Sequence, residues 1–203
     1  MDRENLRSIF SKAKVGIAGA GGLGSTCAVS LARAGILKLV IADFDRITEA
    51  NLDRQYYFLD QVGRYKVDAL SENIGRIDPR VQVTAHRLSL DRQSVEKIFA
   101  DCDIIVEAVD DAGTKEMIVE TALRSFPDAH VVCASGLAGI GNLEELRLVH
   151  HGRLHLCGDF SRETSTDSPP VAPRVGIVAN MEADMVLQIL INRVESSRSI
   201  SRD

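Results

Sequence analysis

Residues 13–45 read AKVGIAGAGGLGSTCAVSLARAGILKLVIADFD and contain the most informative pattern for the fold class. The apolar run 13–19 is typical of a buried parallel strand, and it ends in glycine. Residues 19–35 begin with glycines and continue with apolar residues at helical spacing up to Gly35, which predicts a helix. A second apolar strand follows at 37–45. Together these segments predict a right-handed β-α-β unit.

The alternation of strands and helices continues to residue 140. Further helices are predicted over 62–78, 91–102 and 114–126, and further strands over 81–90 and 103–110. Residues 129–139 are predicted to form a strand followed by a glycine-rich turn. This order predicts an α/β fold with a doubly wound, Rossmann-like, mostly parallel sheet and helices on both faces.

The pattern changes in the last third of the chain. Two short alternating runs around His151 and Gly152 predict an antiparallel hairpin. Residues 158–173 are rich in Ser, Thr, Asp and Pro, which predicts a connecting loop. Residues 175–194 predict one strongly apolar helix, whose wide apolar face suits both core packing and contact with a second copy of the chain. The polar residues after it are expected to fray.

The composition is that of a single soluble domain. A chain of 203 residues suits one α/β domain, so we expect a nucleotide-binding part at 13–140 and a hairpin, loop and helix at 141–194 within one domain over 1–203. Neither a signal peptide nor an apolar run of roughly 18 residues is apparent, which predicts a cytoplasmic protein with no membrane span. The net charge of −5 and the aromatic content of 4% disfavour nucleic acid as a partner.

The cysteines and histidines do not have the spacing of metal sites. The four cysteines form no CxxC pair, which disfavours structural zinc and a disulfide framework. Cys27 and Cys133 fall on apolar elements and are expected to be core residues. His150 and His151 would face opposite sides of a strand, so a metal site formed with His155 is also disfavoured.

The glycines after the first strand predict a nucleotide. Gly19, Gly21, Gly22 and Gly24 form a GxGxxG loop between a strand and a helix, where the backbone can approach phosphates and the helix N-terminus favours their charge. Asp43 ends the second strand, where a carboxylate accepts hydrogen bonds from ribose hydroxyls. These residues predict an adenine nucleotide, and alone they would favour an NAD dehydrogenase.

The connection at residues 51–70, NLDRQYYFLDQVGRYKVDAL, favours ATP instead. An ATP-cleaving site needs cations and hydrogen-bond donors around the phosphates, and Asn51, Arg54, Gln55 and Lys66 supply them. Arginine offers a planar fork for a phosphate, and lysine offers a mobile point charge.

A second pair of carboxylates follows a later strand. Asp110 is predicted to lie at the same sheet edge and to hold Mg²⁺ or align a nucleophile, with Asp111 beside it. Arg64 is interpreted as a solvated charge at a helix start, and the three aromatic residues at 56–58 as packing residues.

Five motifs together resemble one superfamily. GAGGLGS, DFD, NLDRQ, GRYKVDAL and EAVDD, in this order, are similar to the ThiF/MoeB/HesA adenylyltransferases, which are related to the ubiquitin-activating enzymes. The resemblance covers 13–140 closely and the last helix loosely, and it is greatest to the compact ThiF-type subfamily of thiamine biosynthesis. It implies a homodimer that uses Mg·ATP to adenylate a ubiquitin-like sulfur carrier ending in Gly-Gly, releasing pyrophosphate before a sulfur nucleophile forms a thiocarboxylate.

The resemblance also implies roles for individual residues. Gly22 is expected to contact the nucleotide and Asp43 the ribose. The phosphates are expected to be handled by Asn51, Arg54, Gln55 and Lys66. Asp110 is expected to be needed for adenylation and to bind Mg²⁺, so the expected catalytic residues are Arg54, Lys66 and Asp110.

Three departures from the family pattern are visible. The chain lacks the two CxxC pairs that bind zinc in many members, so no zinc is expected. Thiamine-type relatives often carry a cysteine in the crossover loop, where this chain has Ser165 and Thr166, with Cys157 eight residues upstream of Ser165. The short N-terminus leaves Arg3 or Arg7 as the candidate for the arginine that a partner subunit commonly supplies.

Three other functions remain open at this stage. One is a related ATP-dependent activator of a molybdopterin carrier, a peptide C-terminus or a modified tRNA base. Another is a non-catalytic nucleotide-binding subunit, although such subunits typically lack the arginine, lysine or aspartate that this chain keeps. The third is an NAD dehydrogenase.

Overall fold

The computed structural model describes residues 1–161 and 167–200, except for the side chains of 197–200. In this part of the chain the helices are α1 (Arg3–Phe10), α2 (Gly22–Ala34), α3 (Lys66–Ile77), α4 (Arg92–Ile98), α5 (Ala112–Ser125) and α6 (Ala172–Ile200). The strands are β1 (Lys14–Ala18), β2 (Lys38–Ala42), β3 (Gln82–His86), β4 (Ile104–Glu107), β5 (His130–Ala134), β6 (Arg147–His151) and β7 (Leu154–Gly158).

These strands form one sheet in the order β3-β2-β1-β4-β5-β7-β6. Every neighbouring pair is parallel except the hairpin of β6 and β7, which is antiparallel as predicted. The strand order reverses between β1 and β4, and in open α/β sheets ligands bind beyond the carboxyl ends of the strands at such a point. The doubly wound, mostly parallel fold predicted from the sequence is confirmed.

Apolar side chains cover both faces of the central strands. Ile17 and Val106 pack on one face, in a core that includes α1, α2, α3 and α6. Ile105 and Val131 pack on the other, against α4 and α5. Because the central strands are buried on both faces, their sequences are continuous apolar runs rather than alternating ones.

Several elements are shorter than predicted. The helix predicted from residue 62 begins at Lys66, because Gly63 adopts a positive φ of 86° and Tyr65 is extended. The strand predicted over 81–90 ends at His86, and residues 88–90 instead line the cavity described below. The elements predicted at 91–102 and 103–110 are likewise trimmed at their ends, to Arg92–Ile98 and Ile104–Glu107, and the strand predicted at the start of 129–139 spans His130–Ala134.

Both ends of the chain are more helical than predicted. The sequence interpretation missed α1, which Asp2 caps by accepting a hydrogen bond from the Asn5 backbone N–H at 2.8 Å. The last helix begins at Ala172 rather than residue 175, because Pro173 is tolerated in a first turn that needs no N–H donor from it. It continues to Ile200 instead of fraying after 194. Of the predicted loop at 158–173, residues 162–166 lie outside the described residues.

The apolar helix α6 packs mainly against α2 and β5. By length and composition alone, the stretch Ala172–Ser196 could cross a membrane. Half of its apolar window is buried within the fold, however, and core helices of soluble proteins pass the same test.

Candidate nucleotide-binding site

A cavity of about 480 Å³ opens beside the carboxyl ends of β1 and β4, where the strand order reverses. It brings together residues from segments that are distant in the sequence. The predicted site residues that line it are Gly19, Gly21, Gly22, Asp43, Arg54, Gln55, Lys66, Asp110 and Asp111.

The glycine loop between β1 and α2 is tightly packed against its surroundings. Gly19 has a φ of 100°, and a Cβ there would lie 2.6 Å from the Ala108 carbonyl oxygen. A Cβ on Gly24 would lie 2.0 Å from the Gly19 carbonyl oxygen. Gly24, also predicted to bind the nucleotide, is not among the residues that line the cavity. Its role is to let α2 begin directly beneath the loop.

Asp43 holds the loop in place from the end of β2. Its carboxylate accepts one hydrogen bond from the Ala20 backbone N–H and another from the Asp45 backbone N–H, each at 2.7 Å. The side chain predicted to bind ribose thus also fixes the loop that precedes the helix.

Lys66 lies at the start of α3 and faces the cavity with its side chain only 8% exposed. Its Nζ donates to Asp45 Oδ2 at 2.7 Å, and its backbone N–H donates to the Asp45 carbonyl oxygen at 2.9 Å. The pairing explains how a lysine charge is kept at a largely buried position. Sequence interpretation used only the first aspartate of the DFD motif and missed Asp45, although the motif displays it.

The connection between β2 and α3 places two of its three predicted phosphate ligands at the cavity. Arg54 lines it, with one guanidinium nitrogen 2.7 Å from Asp53 Oδ1. Gln55 also lines it, and its Oε1 is buried with no partner among the described residues. Asn51 does not line the cavity. Its Oδ1 accepts a hydrogen bond from the Thr48 backbone N–H at 3.0 Å and thereby caps a short 3₁₀ helix. The predicted phosphate contact of this side chain is therefore not supported by its position.

The aromatic residues of the same connection attach it to the glycine loop. The Tyr57 hydroxyl is buried and donates to the Ala20 carbonyl oxygen at 2.6 Å, and burial raises the pKa of this hydroxyl well above its usual value. The Tyr56 backbone N–H donates to Ser25 Oγ at 3.0 Å. Tyr57 is therefore a packing residue, as the sequence predicted.

The two aspartates after β4 have different roles. Asp111 caps α5, since its Oδ1 accepts hydrogen bonds from both the backbone N–H and the hydroxyl of Thr114 at 2.7 Å. These bonds lower the pKa of the Asp111 carboxyl. Asp110 lines the cavity, and in the described part of the chain its carboxylate has no hydrogen-bond or ion-pair partner.

An apolar wall of the cavity was not predicted. It consists of Phe44, whose side chain is among the exposed large hydrophobic ones, together with Leu88, Leu90 and Leu137. Leu88 and Leu90 could not be found from periodicity, because they appeared to continue the alternation of β3.

Three histidines meet on one face of the sheet. The His155 ring lies between two others, with Nε2 2.8 Å from His130 Nδ1 and Nδ1 2.8 Å from His150 Nδ1. Burial is the main cause that lowers the pKa of His130, to about 4, and that of His155 as well. Over residues 1–161 and 167–200, no group of three His, Cys, Asp or Glu side chains has an arrangement that could hold a metal ion.

The four cysteines are buried and form no disulfide bonds in the described structure. Burial raises the pKa of Cys157 well above its usual value, so its thiol is protonated and poorly nucleophilic at neutral pH. Cys157 is a fully buried core residue. Ser165 and Thr166, the residues expected at that position, lie outside the described residues.

Known proteins resemble this chain in both sequence and fold. Among curated proteins, it is 34% identical over 184 residues (85% of this chain, 44% of the other) to the adenylyltransferase and sulfurtransferase MOCS3 of Caenorhabditis briggsae. It is 29% identical over 189 residues (90% and 43%) to the adenylyltransferase and sulfurtransferase UBA4 of Candida glabrata. The chain thus spans less than half the length of these curated relatives.

Solved structures share the fold. The E. coli tRNA N6-threonylcarbamoyladenosine dehydratase TcdA, in complex with AMP, superposes with a TM-score of 0.85 at 18% identity, covering 95% of this chain and 92% of that chain. E. coli MccB with ATP superposes with a TM-score of 0.71 at 21% identity, covering 91% and 58%. The family model described as the ThiF family matches residues 2–201, so this chain belongs to the ThiF family.

Proposed function

We propose that this protein is an ATP-dependent adenylyltransferase that activates the C-terminal glycine carboxylate of a ubiquitin-like sulfur carrier protein. The observation that carries the proposal is the composition of the cavity. A glycine loop, the cations Arg54 and Lys66, and the carboxylate Asp110 all line it. A dehydrogenase would need the nicotinamide held but would not need cations clustered at the phosphates.

The cavity offers a place for each part of ATP. The loop backbone and the N-terminus of α2 favour the negative phosphates. Asp43 lies at the end of β2, where a carboxylate can accept hydrogen bonds from the ribose hydroxyls. The apolar side chains of Phe44, Leu88 and Leu90 suit the flat faces of the base.

In the proposed reaction, a carboxylate oxygen of the carrier's last glycine attacks the α-phosphorus of ATP. A bond forms between this carboxylate oxygen and the α-phosphorus, and the bond between the α-phosphorus and the oxygen that bridges to the β-phosphorus breaks. Pyrophosphate leaves with the electron pair of the broken bond. Negative charge moves onto the leaving pyrophosphate, and Arg54 and Lys66 stabilise it there. Lys66 begins in an ion pair with Asp45, so its ammonium is already oriented along the cavity wall.

Magnesium would be held by Asp110 together with the nucleotide phosphates. Mg²⁺ usually binds through one or two carboxylates plus substrate phosphates, so a complete cage of protein ligands is not required. Asp110 fits this role because it lines the cavity and has no partner among the described residues. The ion would neutralise charge on the phosphates.

The relatives support a sulfur carrier as the substrate, since MOCS3 and UBA4 are named as adenylyltransferases and sulfurtransferases. We further propose that the carrier is ThiS-like, that its adenylate is converted to a thiocarboxylate for thiamine biosynthesis, and that the protein works in the cytoplasm. The EAVDD motif favours this subfamily. Cysteines present as free thiols in the described structure suit a reducing compartment.

We also propose that the active form is a homodimer. A shallow groove between β6 and α6 is lined by Leu148, Ile177 and Met181, and the first two are exposed. Light scattering of the purified protein should then give twice the chain mass, and Ile177→Asp should give monomers. A wild-type protein that is monomeric at micromolar concentration would contradict this part of the proposal.

Pyrophosphate exchange tests the reaction directly. Purified protein, Mg·ATP and a carrier ending in Gly-Gly should exchange labelled pyrophosphate into ATP, and Asp110→Ala should lower the rate by at least about 10²-fold. Asp101→Ala is the matched control, because its carboxylate is 86% exposed and lies outside the cavity. Parallel reactions contain a peptide ending in a free carboxylate or threonylcarbamoylated tRNA. Exchange with one of these and none with carriers would refute the sulfur-carrier substrate.

A further inference from the structure

A buried ion pair lies at the end of β4, just before the aspartates of the cavity. Glu107 is the last residue of β4, and its side chain is 0% exposed. It forms an ion pair with Lys115 Nζ from the first turns of α5. Lys115 Nζ also donates to the Ala134 carbonyl oxygen at the end of β5, at 3.3 Å. The pair therefore connects two strand ends and one helix start.

Stability alone does not explain these two residues. The neighbouring positions of β4 are apolar and fully buried, and an apolar side chain at 107 would avoid the loss of hydration that a buried carboxylate suffers. A lysine near a helix N-terminus also has an unfavourable interaction with the helix dipole. Burial raises the pKa of Glu107, and the Lys115 charge opposes this rise.

The pair fixes the backbone on both sides of Asp110. Glu107 Oε1 accepts the Val109 backbone N–H at 2.8 Å, one residue before Asp110. After Asp110, the backbone continues into α5, and the ion pair attaches the start of this helix to β4 through the Lys115 side chain. Asp110 itself has no side-chain partner among the described residues, so its position depends on these backbone attachments.

A third acidic group faces the same pair. Glu182 of α6 is fully buried, and neither of its carboxyl oxygens has a partner in the described part of the chain. Burial is the main cause that raises the pKa of Glu182 well above its usual value; Glu107 raises it further and Lys115 opposes the rise.

We propose that Glu107 and Lys115 are positioning residues that hold Asp110 in the geometry required for adenylation. The proposal rests on the proposed function for its kinetic test, but the structural effect can be measured independently. Neither residue contacts the phosphates in this scheme, so both act through Asp110.

The kinetic test compares Lys115→Met with Lys115→Arg in pyrophosphate exchange. A displacement of about 1 Å at a reacting group costs on the order of 10²-fold, so Lys115→Met should lower kcat about 10–100-fold. The KM for ATP should change less than about threefold, because the glycine loop and Arg54 are untouched. Lys115→Arg keeps the charge and should recover most of the rate. Lys97→Met, an exposed lysine on α4, is the matched control.

Two further variants separate positioning from folding. The double variant Glu107→Leu/Lys115→Met replaces the ion pair by apolar groups and should remain folded, yet its kcat should stay low. In the background of Asp110→Ala, Lys115→Met should cause no further loss, since it acts through a residue already removed. A double variant with the wild-type kcat, or fully additive losses, would overturn the proposal.

Hydrogen exchange gives a readout that needs no activity. Lys115→Met should increase amide exchange over residues 108–114 at least about threefold, while exchange at the glycine loop 19–23 stays unchanged. Unchanged exchange over 108–114 would overturn the positioning role. A wild-type protein that exchanges no pyrophosphate would refute the proposed function, and the exchange of these amides would still decide the role of the pair.

Discussion

Replacing Glu182 by glutamine should stabilise the protein, and the gain should grow as the pH rises. Glu182 is 0% exposed on α6, and neither carboxyl oxygen has a hydrogen-bond partner among the described residues. Burial is the main reason that its pKa lies well above the usual 4.5; Glu107 raises it further, and Lys115 opposes the rise. The folded protein therefore retains a proton that the unfolded chain releases.

The sign and size of the effect follow from proton linkage. Above pH 4.5 the unfolded chain binds fewer protons at this site than the folded chain, so the free energy of unfolding falls as the pH rises. The slope is at most about 1.4 kcal/mol per pH unit, until the folded-state pKa is reached. For a chain of this size, 1 kcal/mol corresponds to about 2–4 °C in Tm, so the limit is about 3–6 °C per pH unit. Glu182→Gln removes this slope.

Differential scanning calorimetry at constant ionic strength, from about pH 5 to about pH 8, measures the difference in Tm between the variant and the wild type. The difference should widen steadily with pH. Glu195→Gln on the exposed part of the same helix is the matched control and should follow the wild type. Parallel Tm curves for Glu182→Gln and the wild type would mean that Glu182 is ionised in the folded protein, and the reasoning would be refuted.

Three other substitutions test separate features of the fold. Gly24→Ala should abolish the rise in Tm produced by Mg·ATP, because the new Cβ would lie 2.0 Å from the Gly19 carbonyl oxygen and displace the glycine loop. Arg174→Met should lower the Tm by about 10 °C, because it leaves the fully buried Asp159 without the guanidinium that lies 2.5 Å away. Folding lowers the pKa of His130 from 6.5 to about 4, so between these pH values the unfolded chain binds a proton that the folded protein does not. The wild-type Tm should therefore fall as the pH falls through this range, and His130→Gln should weaken that fall.

Two of these variants have a comparison within the chain. Gly75→Ala on α3 has open space around its Cβ and should raise the Tm slightly without affecting the response to ATP. Arg76→Met, another helical arginine, should change the Tm by less than about 2 °C. An equal effect of Gly24→Ala and Gly75→Ala on the ATP response would show that the close approach at the loop is unimportant. A His130→Gln variant with the wild-type pH dependence would assign that dependence to other groups.

Local sequence patterns were sufficient for the fold and for most of the cavity. The glycine loop and the carboxylates after β2 and β4 are encoded within short stretches, and the alternation of strands and helices brings their ends to one edge. The cap formed by Asn51 was not predicted, because the side chain of an asparagine near a turn can either bind the local backbone or point outward. The sequence pattern does not distinguish these two orientations.

The remaining features depend on contacts between distant segments. The pairing of Lys66 with Asp45 joins residues 21 positions apart, and that of Glu107 with Lys115 requires the turn after β4 to be formed. Glu182 lies within an apolar helical run, where periodicity alone does not reveal whether a glutamate faces solvent or core. Residues 88–90 are not part of the sheet, because the neighbouring strand β2 ends at Ala42, opposite His86.

The two hydrogen bonds accepted by Asp43 have a consequence for the thermodynamics of ligand binding. They fix the glycine loop with the protein's own groups, so the loss of backbone entropy at this loop occurs during folding and does not accompany nucleotide association. Nucleotide binding should therefore be fast and close to lock-and-key. Under the proposed function, ribose binding and loop order cannot be varied separately at Asp43, since the carboxylate proposed to bind the ribose also fixes the loop.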